Sequence, residues 1–167
     1  GTNNIDLAAA ARRGITVCNV RDYASAAVSQ HVFSLVLALA TRLGDYTRAV
    51  RQGHWQQSKV FCLLDYPIRE LAGLTLGIIG YGNLGQRVAQ IAQGFQMQIL
   101  ICARPGSASV PDGRVSLDTM LKTADVISLH CPLSDATRNL IGKAQLQKMK
   151  SSAILINTAR GGIVNEG

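Results

Sequence analysis

A glycine-rich hexapeptide is the strongest candidate for a ligand-binding element in this sequence. It reads Gly80-Tyr81-Gly82-Asn83-Leu84-Gly85 and lies between an apolar stretch, TLGII, and an amphipathic one, QRVAQIAQGF. Between a strand and a helix, this spacing is typical of a turn that binds the diphosphate of a dinucleotide. The first glycine permits the tight turn, the second lets the diphosphate approach the backbone, and the third allows close packing of helix and strand. The alternative is a glycine-rich connection that binds no ligand.

The residue that reads the adenosine ribose of such a ligand is expected about 20 residues further on, at the end of a second strand. Ala103 stands where NAD-binding domains usually have Asp or Glu, and Arg104 follows it. A carboxylate would repel a 2′-phosphate, whereas an arginine would bind one. We therefore predict an NAD(P) site that favours NADP over NAD. The alternative is that Arg104 faces solvent and that the site accepts either cofactor.

The segments around these residues alternate between apolar strands and helices. Strands are predicted at residues 74–79, 97–103, 126–129 and 153–157, and helices at residues 83–94, 117–123 and 142–149. Near-continuous apolar strands are typical of parallel strands that are buried on both faces. The pattern predicts an α/β fold with a doubly wound parallel sheet, that is, a Rossmann-like NAD(P)-binding domain.

A long amphipathic helix is predicted before the sheet, at residues 23–52. Its apolar positions, from Val28 to Leu43, recur at the helical period of about 3.6 residues. Gly53 is predicted to end this helix, and residues 53–73 are predicted to be an irregular but ordered loop. A short strand is predicted at residues 15–17.

Composition and charge argue against several classes of partner. The net charge is +7, but the 17 basic residues are scattered, so we expect no nucleic-acid partner. The longest strongly apolar stretch, Val32–Ala40, is far shorter than the roughly 20 residues of a membrane span, so we expect no membrane association. The four cysteines lack CxxC spacing, which predicts reduced thiols, a cytoplasmic location and no metal site.

Further motifs carry a family resemblance along essentially the whole chain. They are Gly1–Asp6, Val28–His31, the loop His130-Cys131-Pro132-Leu133 with Thr137–Ile141, and Ile156–Val164. These motifs resemble segments of the D-isomer-specific 2-hydroxyacid dehydrogenases. Residues 61–71 are most similar to the glycerate dehydrogenase, or hydroxypyruvate reductase, branch of that family. We expect the domain to be incomplete at both ends.

The resemblance implies roles for particular side chains. Arg160 would be the catalytic arginine, which binds the carboxylate of a 2-oxo acid and polarises its keto group. The catalytic glutamate and histidine of the family lie beyond this motif, so we expect negligible turnover from the isolated chain. The remaining implied site residues border the cofactor: Thr158 and Ala159 on the nicotinamide side, and His130, Cys131, Pro132 and Thr137 in the loop.

The same resemblance implies the organisation and activity of the protein. Residues 1–22 would be the tail of a substrate domain and a crossover, residues 23–53 an interdomain helix that also forms a homodimer, and residues 54–167 the dinucleotide-binding domain. The expected reaction is reduction of a 2-oxo acid, such as hydroxypyruvate or glyoxylate, to the D-2-hydroxy acid. Two alternatives stay open: a catalytically silent module that senses a dinucleotide, like the co-regulators of this fold group, and a phosphoglycerate dehydrogenase.

Overall fold

The computed structural model describes residues 2, 4–20 and 22–167. Gly1 and Asn3 of the Gly1–Asp6 motif, and Arg21 of the predicted crossover, lie outside the described residues. The elements, in chain order, are α1 (Leu7–Arg12), α2 (Ser25–Ala40), α3 (Leu43–Arg51), α4 (His54–Gln57), β1 (Thr75–Ile79), α5 (Asn83–Gly94), β2 (Gln98–Ile101), α6 (Leu117–Thr123), β3 (Val126–Leu129), α7 (Lys143–Leu146) and β4 (Ile154–Asn157).

The four strands form one parallel sheet in the order β2-β1-β3-β4. Gly77 in β1 is paired with Leu100 of β2 on one side and with Ile127 of β3 on the other. The chain therefore leaves β1 toward one edge of the sheet and later returns to build toward the opposite edge. In doubly wound sheets, ligands bind beyond the carboxyl ends of the strands where this reversal occurs. The predicted α/β fold with a parallel sheet is confirmed.

The core has two parts, one on each face of the sheet. On one face, α2 and α5 pack together over the sheet and bury Val32, Val36 and Val88 against Ile78. On the other face, Met120 and the rest of α6 cover the side chains of β1 and β3 that point away from α2 and α5. All five residues of β1 and all four of β3 are buried. This two-sided burial is why these two strands are mainly apolar.

The prediction of one continuous helix over residues 23–52 is wrong. The helix breaks after Ala40, and α2 and α3 are bent by 61°. Arg42 adopts a left-handed conformation with φ of 55°, which an α-helix cannot accommodate. The Ala40 carbonyl freed by the break accepts a hydrogen bond from the Arg69 N–H at 2.9 Å. The loop that follows α4 therefore satisfies the broken end.

Other sequence predictions differ from the structure in smaller ways. Residues 15–17 form no strand, and α1 precedes them instead. The helix predicted at residues 142–149 is limited to α7, and the second strand ends at Ile101. No single helix in the described part of the chain is long and apolar enough to cross a membrane, and the bent pair α2–α3 reaches that length and hydropathy only together.

Candidate functional site

Two adjoining cavities lie at the carboxyl edge of the sheet, and both are lined by Cys131 and Pro132. The larger has a volume of about 940 Å³ and lies between residues 158–160 and N-terminal residues that include Asp6 and Tyr23. The smaller has a volume of about 420 Å³ and lies beside Gly80 and Arg104. The glycine-rich turn contributes to both, since Tyr81 lines the smaller cavity and Leu84 the larger. Together they could hold an elongated ligand that crosses the turn.

The three glycines of the turn have different surroundings. Gly80 has φ of 96°, and a Cβ there would lie 2.5 Å from the backbone nitrogen of Cys131. A Cβ on Gly85 would overlap the carbonyl oxygen of Gly80, because α5 starts directly against the end of β1. A Cβ on Gly82 would meet no atom of the described chain within 4 Å. Packing therefore requires glycine at positions 80 and 85, whereas Gly82 borders open space.

The open space at Gly82 fits a phosphate group. Gly82 is the N-cap of α5 and offers no side chain to accept from the first turn of the helix. The N–H groups of Asn83, Leu84 and Gly85 are therefore left for an external acceptor, since the Gln86 N–H already donates to the Gly82 carbonyl. The helix dipole adds positive potential at the same place. Gly82 and Asn83 are both exposed. The N-terminus of α5 can therefore bind a phosphate or diphosphate group between the two cavities.

The loop after β3 is fixed by internal hydrogen bonds. The Thr137 hydroxyl donates to the carbonyl oxygen of Pro132 at 2.6 Å and accepts from the N–H of Ser134 at 2.8 Å. Thr137 is buried, although it also lines the smaller cavity. Its hydroxyl is thus used to hold the loop, so the structure gives it a positioning role at the border of the site.

Two buried polar atoms lack a hydrogen-bond partner within the described chain: Nδ1 of His130 and the hydroxyl oxygen of Thr158. They belong to the same site. Leu129 is paired with Asn157 at the ends of β3 and β4, and the residue that follows each strand lines the larger cavity. Leaving such an atom unpaired costs roughly 1–3 kcal/mol. Both atoms are therefore suited to bind a polar ligand.

His130 is a neutral imidazole at pH 7. Its burial lowers its pKa from 6.5 to about 4. The Nε2 atom lies 2.9 Å from the hydroxyl of Ser128, in the middle of β3. A neutral imidazole that is hydrogen-bonded to a buried hydroxyl can orient a ligand, but it has no positive charge to attract an anion.

Arg160 follows β4 in a turn that the Asn157 side chain braces. The Asn157 amide donates to the Arg160 carbonyl at 3.0 Å and accepts from the Ala159 N–H at 3.1 Å. The guanidinium is exposed, and it donates to the carbonyl oxygen of Ala159 at 2.7 Å. Arg160 lines the larger cavity together with Thr158 and Ala159. Sequence reasoning missed Asn157, whose role depends on the shape of the turn.

The smaller cavity holds a second arginine that sequence reasoning also missed. Arg104 and Arg114 both line it, and the part of its lining that the structure describes contains no carboxylate. Ala103, predicted at the ribose position, is half-buried, and its N–H donates to the Val115 carbonyl at 2.8 Å. The missing acid at position 103 is therefore not replaced by one from elsewhere in this lining.

The cysteines at the site do not carry reactive thiolates. Cys102 and Cys131 are both buried, and burial raises the pKa of each thiol, that of Cys102 to about 11. Both thiols are therefore protonated at pH 7. In the described residues, no group of three or more His, Cys, Asp or Glu side chains could hold a metal ion.

Residues 33–167 match the family model described as the NAD binding domain of D-isomer specific 2-hydroxyacid dehydrogenases. A glycerate dehydrogenase of Methylorubrum extorquens is 51% identical over 166 residues, which cover 99% of this chain and 52% of that protein. The chain spans about half the length of the curated relatives it matches. These descriptions do not favour a silent binding module.

Solved structures show the same fold. A protein from Thermus thermophilus matches with a TM-score of 0.87 and 38% identity, over 99% of this chain and 52% of that one. A D-lactate dehydrogenase from Aquifex aeolicus, solved with NAD and lactic acid, matches with a TM-score of 0.80 and 35% identity, over 99% of this chain and 49% of that one. Both likenesses extend through the strands and turns that build the two cavities.

Proposed function

This chain belongs to the D-isomer specific 2-hydroxyacid dehydrogenases, and we propose that it is the NAD(P)-binding half of an enzyme that reduces a small 2-oxo acid to the D-2-hydroxy acid. Hydroxypyruvate and glyoxylate are the proposed substrates, since a similar protein is named a glycerate dehydrogenase and another a glyoxylate reductase. The observation that carries the proposal is the open space at Gly82, flanked by one cavity with Arg104 and another with Arg160.

The residues of the larger cavity suit the proposed reaction. When bound, a reduced nicotinamide supplies the hydride that the reduction consumes. Arg160 would bind the carboxylate of the 2-oxo acid and polarise its keto oxygen with a planar pair of N–H donors. Thr158 and the neutral His130 would orient the neighbouring ligand through the polar atoms that lack partners. The proton for the product oxygen is assigned to no residue of this chain.

We extend the proposal to cofactor choice: the site favours NADP over NAD. Arg104 lines the smaller cavity without a carboxylate partner among the described residues, and Ala103 cannot hydrogen-bond the ribose hydroxyls through its side chain. The free 2′-hydroxyl of NAD would thus gain little binding energy here, whereas the 2′-phosphate of NADP would contact the Arg104 guanidinium.

Titration of NADPH and NADH against the protein and its Arg104→Ala variant tests cofactor binding and choice together. The unmodified protein should bind both cofactors and NADPH more tightly. Losing a charge-assisted bond should weaken NADPH binding of the variant by ~1–3 kcal/mol and leave NADH binding nearly unchanged. Failure to bind either cofactor would contradict the proposed function. Equal affinities for the two in the unmodified protein would contradict only the preference for NADP.

The proposed enzyme is a cytoplasmic homodimer. Support for the dimer comes from large apolar side chains that are exposed to solvent. In the loop that follows α4, Phe61 is 93% exposed and Leu64 is 80% exposed. Leu39 and Leu43, on the predicted face of the long helix, are also exposed, whereas Val32 and Val36 are buried within the domain. Apolar surface of this kind marks interfaces. Light scattering at tens of micromolar protein should give the mass of a dimer, and a monomer mass would contradict this proposal.

A further inference from the structure

Arg114 is half-buried in the wall of the smaller cavity, next to Val115, whose carbonyl accepts a hydrogen bond from Ala103 at the position expected from sequence to read the ribose. Its Nη1 atom donates to the carbonyl oxygen of Cys102 at 3.2 Å. That is the only side-chain hydrogen bond of Arg114 within the described chain, and a guanidinium carries five N–H donors. The side chain is therefore anchored at one corner and has further donors available to a ligand in the cavity.

Backbone pairing holds Arg104 and Arg114 at the two ends of one loop. After β2, Cys102 forms a parallel bridge with Val115, and the Val115 N–H donates to the Ile101 carbonyl at 2.9 Å. The Ser107 N–H bonds the Arg104 carbonyl at 3.0 Å, and Gly106 has φ of 81°, as in a type II turn. The loop between the arginines is thus closed at its base, and both ends face the same cavity.

The charges at this cavity are not neutralised within the protein. Across residues 2, 4–20 and 22–167, neither Arg104 nor Arg114 forms a salt bridge. The polar atoms that accompany them in the lining belong to hydroxyl, thiol and backbone groups. Two guanidinium groups at one cavity without a carboxylate are suited to a compact dianion, and the partial burial of Arg114 strengthens its Coulomb attraction because water is excluded there.

We propose that Arg114 is a specificity-determining residue that binds the 2′-phosphate of the cofactor together with Arg104. The inference rests on the proposed NAD(P) site and names a second side chain for the reading of the phosphate. The Cys102 carbonyl fixes the orientation of the Arg114 guanidinium before a ligand binds. Arg104, in contrast, is exposed and lies at the first position of a turn. Arg114 thus supplies a positioned donor pair, and Arg104 closes on the phosphate from the solvent side.

Isothermal titration with two fragments separates the phosphate from the rest of the nucleotide: adenosine 2′,5′-bisphosphate carries the 2′-phosphate, and 5′-AMP does not. The variants are Arg114→Met, which keeps an apolar stem, and Arg114→Lys, which keeps the charge but loses the planar donor pair. Arg51→Met, an exposed arginine of α3 that lines neither cavity of the site, controls for the loss of one positive charge. Melting temperatures check that each variant is folded.

The Arg114→Met substitution should weaken binding of the bisphosphate about tenfold or more and change the affinity for 5′-AMP less than twofold. The bisphosphate affinity of Arg114→Lys should lie between those of the unmodified protein and Arg114→Met. The Arg51→Met variant should bind both fragments like the unmodified protein. Unchanged bisphosphate affinity in a folded Arg114→Met variant would overturn the proposal, as would an equal loss for both fragments, which would indicate contact with the adenosine 5′-phosphate that they share. If Arg114→Met does not fold, the Arg114→Lys comparison decides in the same way. Failure of the unmodified protein to bind 5′-AMP and NADH would instead contradict the proposed function.

Discussion

Replacing Gly85 with alanine should lower the free energy of unfolding by at least about 3 kcal/mol, the upper range for overpacking a rigid interior. The added methyl group would overlap the carbonyl oxygen of Gly80 and lie 3.2 Å from Cγ2 of Ile78. Neither can move freely, because Gly80 lies against the backbone of His130 and Cys131 and Ile78 is fully buried. Denaturation in urea, followed by circular dichroism, measures the change.

Gly77→Ala is the matched control for that experiment. Gly77 is also buried, but its Cβ would meet the side chain of Met120, with Cγ at 2.8 Å and Sδ at 2.9 Å. The Ala124 Cβ would also lie 3.1 Å away, but all of these atoms belong to side chains rather than to the backbone and can shift more easily, so the expected loss is about 1–2 kcal/mol. A Gly85→Ala variant as stable as Gly77→Ala would show that α5 does not pack against the end of β1 as described.

Replacing Gly82 with valine should abolish most cofactor binding without unfolding the protein. Gly82 has φ of −83°, which any residue adopts, and its Cβ would point into open space. The valine side chain would fill the space at the α5 N-terminus where a diphosphate would rest. A steric cost of about 2–3 kcal/mol corresponds to a loss of cofactor affinity of roughly 30-fold to 150-fold. Titration with NADPH, alongside urea denaturation, measures both quantities.

Gly94→Val provides the control for Gly82→Val. A Cβ at Gly94 also meets nothing within 4 Å, but the residue lies at the opposite end of α5. This variant should bind NADPH like the unmodified protein. Unchanged NADPH binding in Gly82→Val would mean that the ligand does not lie against the turn. A large loss of stability in the same variant would mean that the space is needed for packing.

The sequence predicted the parts of the site that depend on local chemistry. The glycine turn follows from spacing between an apolar strand and a helix, and the structure places it at the reversal in strand order. Arg104 and Arg160 each lie three residues after the end of a strand, so the sheet brings them to its carboxyl edge. The apolar runs predicted a parallel sheet because burial on both faces leaves no polar positions to alternate.

Parts of the structure that depend on distant backbone contacts could not be predicted in this way. Arg114 reaches the cavity because Val115 returns to pair beside Cys102, and no motif encodes that return. The break after Ala40 was missed because apolar spacing continues across it. It depends on the left-handed Arg42 and on a hydrogen bond from Arg69, 29 residues after Ala40.

The proposed function requires that a dinucleotide lies across the turn, with its diphosphate on the N–H groups that begin α5. A crystal structure of the protein with NADPH would show where the cofactor binds. We expect the diphosphate against the backbone of Gly82 and Asn83, the adenosine beside Arg104, and the nicotinamide toward Thr158 and Arg160. Clear density for NADPH elsewhere on the protein, or a bound cofactor whose diphosphate makes no contact with this turn, would contradict the proposed function.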